Sequence, residues 1–471
     1  MDSTGVVKYR VIIVGAGMAG LSAADVLISA GIRDIVVLEA RNRVGGRIHT
    51  VKEGDGLIEL GANYIHGTTA ENSVYTLAQK HGLVREGFLS TRLSDGAFYT
   101  QDGLEINKEL SDRVWTVYTT ISDEVYSPST SKDKSSMTVE DYFSVRYEEE
   151  RQQFRDDEQE TAAAIFNCIK NGEQVYVGSD LPHVPVLDLE NFTEIVGGDA
   201  LVAKGLASVL KPLSSNLPDG CVRLNREVTK IRWKNDVKDR ADVIVVCSNG
   251  ETYTADVCLV TVPLGYLKQH AHRIFKPSLP VDKLLAIDKI NAGCVDKLFL
   301  VYDKPFWKRG QLGSVKLAWR GEEGVVRDPY KEWYKRIFSF DEYPTHPNVL
   351  VGWISGFVEA RQAELLPEAD ISQKCTEILR SFLGDKSIPE PSKIIRSQWG
   401  TDLYTLGSYV ALTLPGSPED FAKLAEPVAD SRGEVRLLFA GEATDVAFNS
   451  TMHGARNSGI REAERIIKSL S

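Results

Sequence analysis

The sequence predicts an α/β protein of two domains, one assembled from separated stretches of the chain. Three observations carry that prediction. At 471 residues the chain is too long for one ordinary hydrophobic core. Its N-terminal part reads strand, glycine turn, helix, strand: Val11-Ile12-Ile13-Val14 leads into Gly15-Ala16-Gly17-Met18-Ala19-Gly20, and Ile35-Val36-Val37-Leu38 ends at Glu39. Strand-rich segments of the same character return near residues 195 and 395, after two stretches of different make-up.

The first element is a Rossmann-type dinucleotide fingerprint in its required setting. Gly15, Gly17 and Gly20 allow a tight turn, close approach of backbone to a pyrophosphate, and close helix–strand packing. The helix N-terminus offers oriented N–H groups to phosphate charge. Glu39, roughly 20 residues on, is placed to accept from a ribose hydroxyl. The fingerprint alone does not separate NAD from FAD. The residues that follow do, because Glu39-Ala40-Arg41-Asn42-Arg43-Val44-Gly45-Gly46-Arg47 sets a glycine pair between arginines. Backbone can there approach a second charged part of the cofactor, and Arg47 can meet its pyrophosphate with a forked guanidinium. A nicotinamide dehydrogenase has no need of this loop.

Residues 52–67 read as a strand running into a glycine-bounded loop, Gly61-Ala62-Asn63-Tyr64-Ile65-His66-Gly67. Between about 90 and 190 the pattern turns helical, at 108–119 and 139–166, with a charge run over 148–158 that reads as a solvated face. Gly197-Gly198-Asp199-Ala200 reads as the opening of a helix. Residues 222–231, 243–246 and 252–258 read as a β-meander turning at Ser248-Asn249-Gly250, and the strand through Val262 ends at Pro263. Residues 285–394 alternate strands, at 297–302 and 349–354, with a helix at 371–383. A last strand, 435–440, runs into Gly441-Glu442-Ala443-Thr444, and Thr451-Met452-His453-Gly454 leads to a terminal helix. The expected division is a cofactor domain from 1–90, 195–284 and 395–471, and an α+β substrate domain from 91–194 and 285–394.

Composition fits a soluble globular protein, with 42% hydrophobic and 26% charged residues. A net charge of −11 argues against a nucleic-acid surface and suits cationic substrates, although many acidic proteins are acidic only for solubility. Six cysteines without CxxC spacing, and no secretory leader before Val11, point to a reducing compartment, so a cytoplasmic location is expected. No apolar run approaches the roughly 18 residues of a membrane span.

Residues 11–47 resemble the N-terminal signature of the flavin-dependent amine oxidases, and the later signals follow in order along nearly the whole chain. The nearest resemblance is to the polyamine oxidases of animal and fungal type. It implies noncovalent FAD held by Gly15, Ala16, Gly17, Met18, Ala19, Gly20, Glu39, Ala40, Arg41, Gly45, Gly46 and Arg47. It also implies contacts from Gly61, Ala62, Asn63, Tyr64, Val228, Val262, Gly441, Glu442, Thr451 and Met452. Glu442 reads alternatively as a helix-capping acid. Trp399 packs near the flavin or is a core tryptophan.

For the chemistry, the resemblance makes Lys297, in Asp296-Lys297-Leu298-Phe299, the lysine that holds a water against the flavin. Without it, a strand-end lysine reaching solvent would be the simpler reading. His66 stands where animal-type polyamine oxidases have a histidine able to hydrogen-bond a substrate nitrogen. Tyr409 is an aromatic wall of the site or a core tyrosine, and Thr451 replaces a second wall, opening that side. Glu173, Asp180 and Glu194 are candidate acids for the far end of a long cation. Val295 stands where some acetylpolyamine oxidases have a polar residue. The expected reaction is oxidation of a secondary amine of spermine, spermidine or an N-acetylated form with O2, by a monomer or weak dimer without metal. Two rival readings are another amine oxidase (an amino-acid oxidase or a lysine demethylase) and a catalytically silent FAD-binding protein.

Overall fold

The computed structural model describes residues 7–89, 96–127, 137–189, 191–234 and 243–470. The expected boundary at 90/91 lies outside the described residues. Strand Val7–Val14 is the middle of the larger sheet, with parallel neighbours Ile35–Leu38 on one edge and Thr252–Val260 on the other. A strand in that position buries both faces, so it needs a continuous apolar run rather than an alternating one. Val11, Ile12 and Ile13 meet that need and are fully buried.

Thr252–Val260 ties distant parts of the chain together. Its first residues pair antiparallel with Val243–Cys247, and Cys258, Leu259 and Val260 pair parallel with Val435–Phe439. The nine-stranded sheet thus gathers strands from near residues 10, 250 and 435. Val222–Arg223 departs from the expected meander. It pairs in parallel with Ile35–Leu38 on the far side of the sheet.

Helix Met18–Ser29 crosses the sheet beside the terminal helix Met452–Leu470. The approach at the turn leaves no room for a side chain, since a Cβ on Gly20 would lie 2.0 Å from the carbonyl oxygen of Gly15. Gly20→Ala is therefore expected to shift the helix off the turn, with a loss of about 3 kcal/mol of stability. Thermal unfolding of the purified variant measures this, together with the FAD it retains.

Asp199–Val202 is a strand and not the start of a helix, which corrects the expectation. It bridges Ile65–His66 and Val84–Leu89 in a three-stranded sheet, and satisfying those two edges overrides the helical preference of Ala200 and Leu201. The expected helix over 139–166 is also divided. Val139–Glu150 ends, buried Phe154 turns extended, and a new helix runs over Gln159–Val177.

A second sheet of six strands runs Lys393–Arg396, Val295–Val301, Val349–Ser355, Ile337–Glu342, Ser314–Ala318, Ala97–Thr100. Ala97–Thr100 joins from a part of the chain more than two hundred residues away and is the one parallel neighbour. Side chains alternate across Val295–Val301. Phe299 packs with Ile58 and Tyr343, whereas Leu298 and Leu300 pack with Ile371 and Leu379. Lys297 therefore shares the Phe299 face, and Asp296 lies on the opposite one.

Candidate active site

The dinucleotide cradle is built from the turn after Val14. Helix Met18–Ser29 starts at Gly17 with no side-chain cap and no acid in its first turn, so its N-terminal N–H groups are left for an anionic ligand. Glu39, 6% exposed, accepts from the N–H of Ala16 (2.8 Å) and of Arg41 (2.9 Å) at the end of its strand. In the second loop Arg43 donates to the carbonyls of Val44 and Gly46, at 3.3 and 3.0 Å, and Gly45 N–H donates to Ala16 O at 2.8 Å. The two glycine loops are thus bonded to each other.

Arg47 reaches across the fold, donating to Glu442 Oε1 at 2.8 Å and to Ser408 O at 2.6 Å. Glu442 also accepts from Ser450 N–H at 3.0 Å. Arg47, Val262, Gly441 and Glu442 line one cleft, and a Cβ placed on Gly441 would meet nothing within 4 Å. Arg41 spends its guanidinium on Asp402 in a bidentate pair (2.9 and 2.5 Å) and lies over the Tyr404 ring. Its backbone N–H is held by Glu39 and its carbonyl accepts from Asn225 N–H at 2.9 Å. Ala40 and Met452 border this region half-buried, Met18 and Ala19 are buried in the helix, and Val228 is buried in its strand.

Lys297 is 4% exposed, and its ammonium donates to Glu59 O, to Gly61 O at 2.5 Å and to Asn63 Oδ1 at 2.8 Å. Burial lowers its pKa to about 7, opposed by Glu59 and Asp296. All three ammonium hydrogens have protein acceptors. The loop is held tightly: Trp399 Nε1 donates to Leu60 O at 2.9 Å, Ala62 N–H donates to Arg47 O at 3.1 Å, and a Cβ on Gly61 would lie 1.7 Å from Arg47 O. Trp399 is 7% exposed, and its indole fixes the Lys297 loop.

His66 is exposed and its Nδ1 lies 2.8 Å from Asp199 Oδ1. Tyr64 stands edge-on beside it, with its phenol pushed up to about 12 by burial. His453 lies behind; burial and His66 lower it to about 4, so it is neutral. The Thr451 hydroxyl is committed as the cap of the terminal helix, accepting from Gly454 N–H at 2.9 Å and donating to Phe448 O at 2.7 Å. Tyr409 packs on Gly178 and its hydroxyl donates to Val175 O, which anchors the ring between two elements. Of the three candidate acids, Glu173 is buried and accepts from the hydroxyls of Tyr118 and Tyr126. Asp180 accepts from Phe357 N–H at 3.2 Å. Glu194 alone of these three is exposed.

Asp199, Asp402 and Ser408 were not singled out in the sequence. Each meets its partner across more than a hundred residues, and no local pattern signals such a pairing.

Residues 18–467 match the family of flavin containing amine oxidoreductases, and the chain belongs to that family. Its cofactor is FAD. The uncapped helix, the bonded glycine loops and the open space at Gly441 fit such a group. The human peroxisomal N(1)-acetyl-spermine/spermidine oxidase is 31% identical over 99% of this chain and 97% of its own length. The bovine protein of that name is 30% identical over 97% of this chain and 94% of its own. A rice protein named lysine-specific histone demethylase 1 homolog 3 is 32% identical over 97% of this chain, which spans 54% of that protein. The chain is thus an oxidoreductase acting on amines.

Proposed function

We propose that this chain oxidises a secondary amine of spermine, spermidine or an N-acetylated relative, giving an imine that water hydrolyses to an amine and an aminoaldehyde. FAD, when bound, would supply the two-electron acceptor for the hydride lost with the amine proton, and its reoxidation by O2 would give H2O2. Arg47 and the glycine loops hold the cofactor, and Trp399 with Lys297 fixes the loop against it. Lys297 exchanges one of its three acceptors for a water beside the reacting centre. His66, steadied by Asp199, accepts from the substrate nitrogen while that nitrogen is unprotonated, the only form from which the adjacent carbon yields hydride.

The observation that carries this reading is a buried Lys297 bound to the 59–63 loop, which runs directly into His66 and its partner Asp199. Tyr176 is 44% exposed and stands edge-on to Tyr126 and Phe192, and burial, then Glu194, Glu173 and Asp199, raise its phenol. Glu194 is the acid we assign to the distal ammonium of the substrate. The names of the human and bovine relatives point to the same substrate class.

The five-stretch division of the chain is also proposed, supported by the gathering of distant strands into each sheet. A cytoplasmic location is proposed on the six free, buried thiols. Imaging of the tagged full chain against a peroxisomal marker tests the location. For the activity, purified holoenzyme is assayed for peroxide with spermine, spermidine and their N1-acetyl forms, and the aldehyde product is identified. Turnover of at least one with release of an aminoaldehyde is expected. Absence of peroxide with all four ends the reading.

A further inference from the structure

We infer that Asp296 and Glu364 share one proton, and that this shared proton locks the 399–401 turn against the Lys297 strand. Both are positioning residues, since neither lies on the Lys297 face of the strand. Asp296 is 1% exposed and Glu364, from helix Glu359–Leu365, is 2% exposed. Cys294 Sγ lies between them, 3.7 Å from Asp296 Oδ2 and 3.8 Å from Glu364 Oε1, and the three groups bring one atom each within 4.8 Å of one another. Two ionised carboxylates that close in a dry interior repel, and one proton between them converts repulsion into a hydrogen bond.

The surrounding donors show where that proton belongs. Asp296 Oδ1 accepts from Ser397 Oγ at 2.6 Å and from Trp399 N–H at 3.2 Å. Glu364 Oε1 accepts from Gly400 N–H and Oε2 from Thr401 N–H, both at 2.6 Å. Three consecutive backbone N–H groups are therefore bound by the pair. Asp296 Oδ2 accepts from the Cys294 thiol on the side of Glu364, which places the shared proton between Oδ2 and Glu364. Gly400 is packed against the same groups, since a Cβ there would lie 2.7 Å from Cys294 Sγ and 3.0 Å from Glu364 Oε1. The turn then carries Trp399 to Leu60 O, one residue from the Gly61 carbonyl that holds Lys297.

Burial, then the neighbouring Asp296, raises the Glu364 carboxyl well above the usual carboxylate range, which favours a proton held at neutral pH and released on the alkaline side. The other groups facing it are the Cys294 thiol, Arg361, Tyr409, Lys297 and, through Lys297, Glu59. The inference concerns the flavin site alone and holds whichever amine is oxidised.

Asp296→Asn tests it, because the amide keeps the acceptor at Oδ1 and places a permanent donor at Oδ2. In substrate-free holoenzyme titrated from neutral to alkaline pH, bound-flavin absorbance of the unmodified protein should show a transition on the alkaline side of neutrality. The variant should keep FAD and lack that transition. Its flavin reduction by a fixed amine at neutral pH should stay within about threefold of the parent, while the alkaline limb disappears. Infrared spectra of the parent provide a second measurement independent of any variant: a protonated carboxyl band should be present at neutral pH and vanish over the same transition. A transition that persists unchanged in Asp296→Asn, or no protonated carboxyl band at neutral pH, overturns the inference. So does a stoichiometric divalent metal whose removal by chelator abolishes the transition.

Discussion

Lys297→Met is expected to slow turnover at neutral pH by about 10²-fold while leaving FAD bound. Methionine keeps the length and flexibility of the stem but removes the nitrogen that joins Glu59 O, Gly61 O and Asn63 Oδ1. Three buried acceptors then lose a common donor, and the loop beside Trp399 loses the charge that organises it. Rapid-mixing measurements of flavin reduction and of reoxidation separate the half-reaction affected, and the ratio of flavin to protein absorbance reports retained cofactor. Turnover within about twofold of the parent would remove Lys297 from the chemistry. Loss of FAD in place of rate would make its role structural.

Arg47→Ala is expected to act earlier, on the cofactor itself. Glu442 is 6% exposed, and its partners are the Arg47 guanidinium and Ser450 N–H. Without Arg47 a buried carboxylate is left without its counter-charge, a loss of about 3 kcal/mol of stability. The positive charge that faces the pyrophosphate goes as well, so FAD affinity should fall by about 10²-fold. Dialysis followed by flavin fluorescence of the filtrate, with a thermal melt of the retained protein, measures both. Unchanged retention and melting temperature would place Arg47 outside the cofactor site.

The two sites differ in how far the sequence reveals them, and the difference is physical. The cofactor cradle depends on local features: a buried strand, glycines where backbones touch, and an acid at a strand end. Gly15, Gly20 and Glu39 therefore read out directly, and Gly20 sits where a single methyl would strike Gly15. Lys297 became legible only through the family resemblance, because its acceptors lie more than two hundred residues away on a separate strand and loop. The Asp199 partner of His66 was hidden by a wrong local reading, in which Gly197-Gly198-Asp199 opened a helix. The edge demand of Ile65–His66 and Val84–Leu89, invisible in the local sequence, makes it a strand. Thr451 shows the converse case. Its position before a helix was plain, but the cap it forms on Gly454 N–H was not read from the sequence.

The most direct test of the account is a single turnover without oxygen. Purified flavoprotein is mixed anaerobically with excess spermine, spermidine or an N1-acetyl form, and visible flavin absorbance is followed before and after oxygen is admitted. The account predicts rapid bleaching by at least one polyamine, full return of colour with oxygen, and one H2O2 and one aminoaldehyde for each amine consumed. A flavin that stays oxidised with every polyamine, yet bleaches with an amino acid or a methylated lysine peptide, would contradict it.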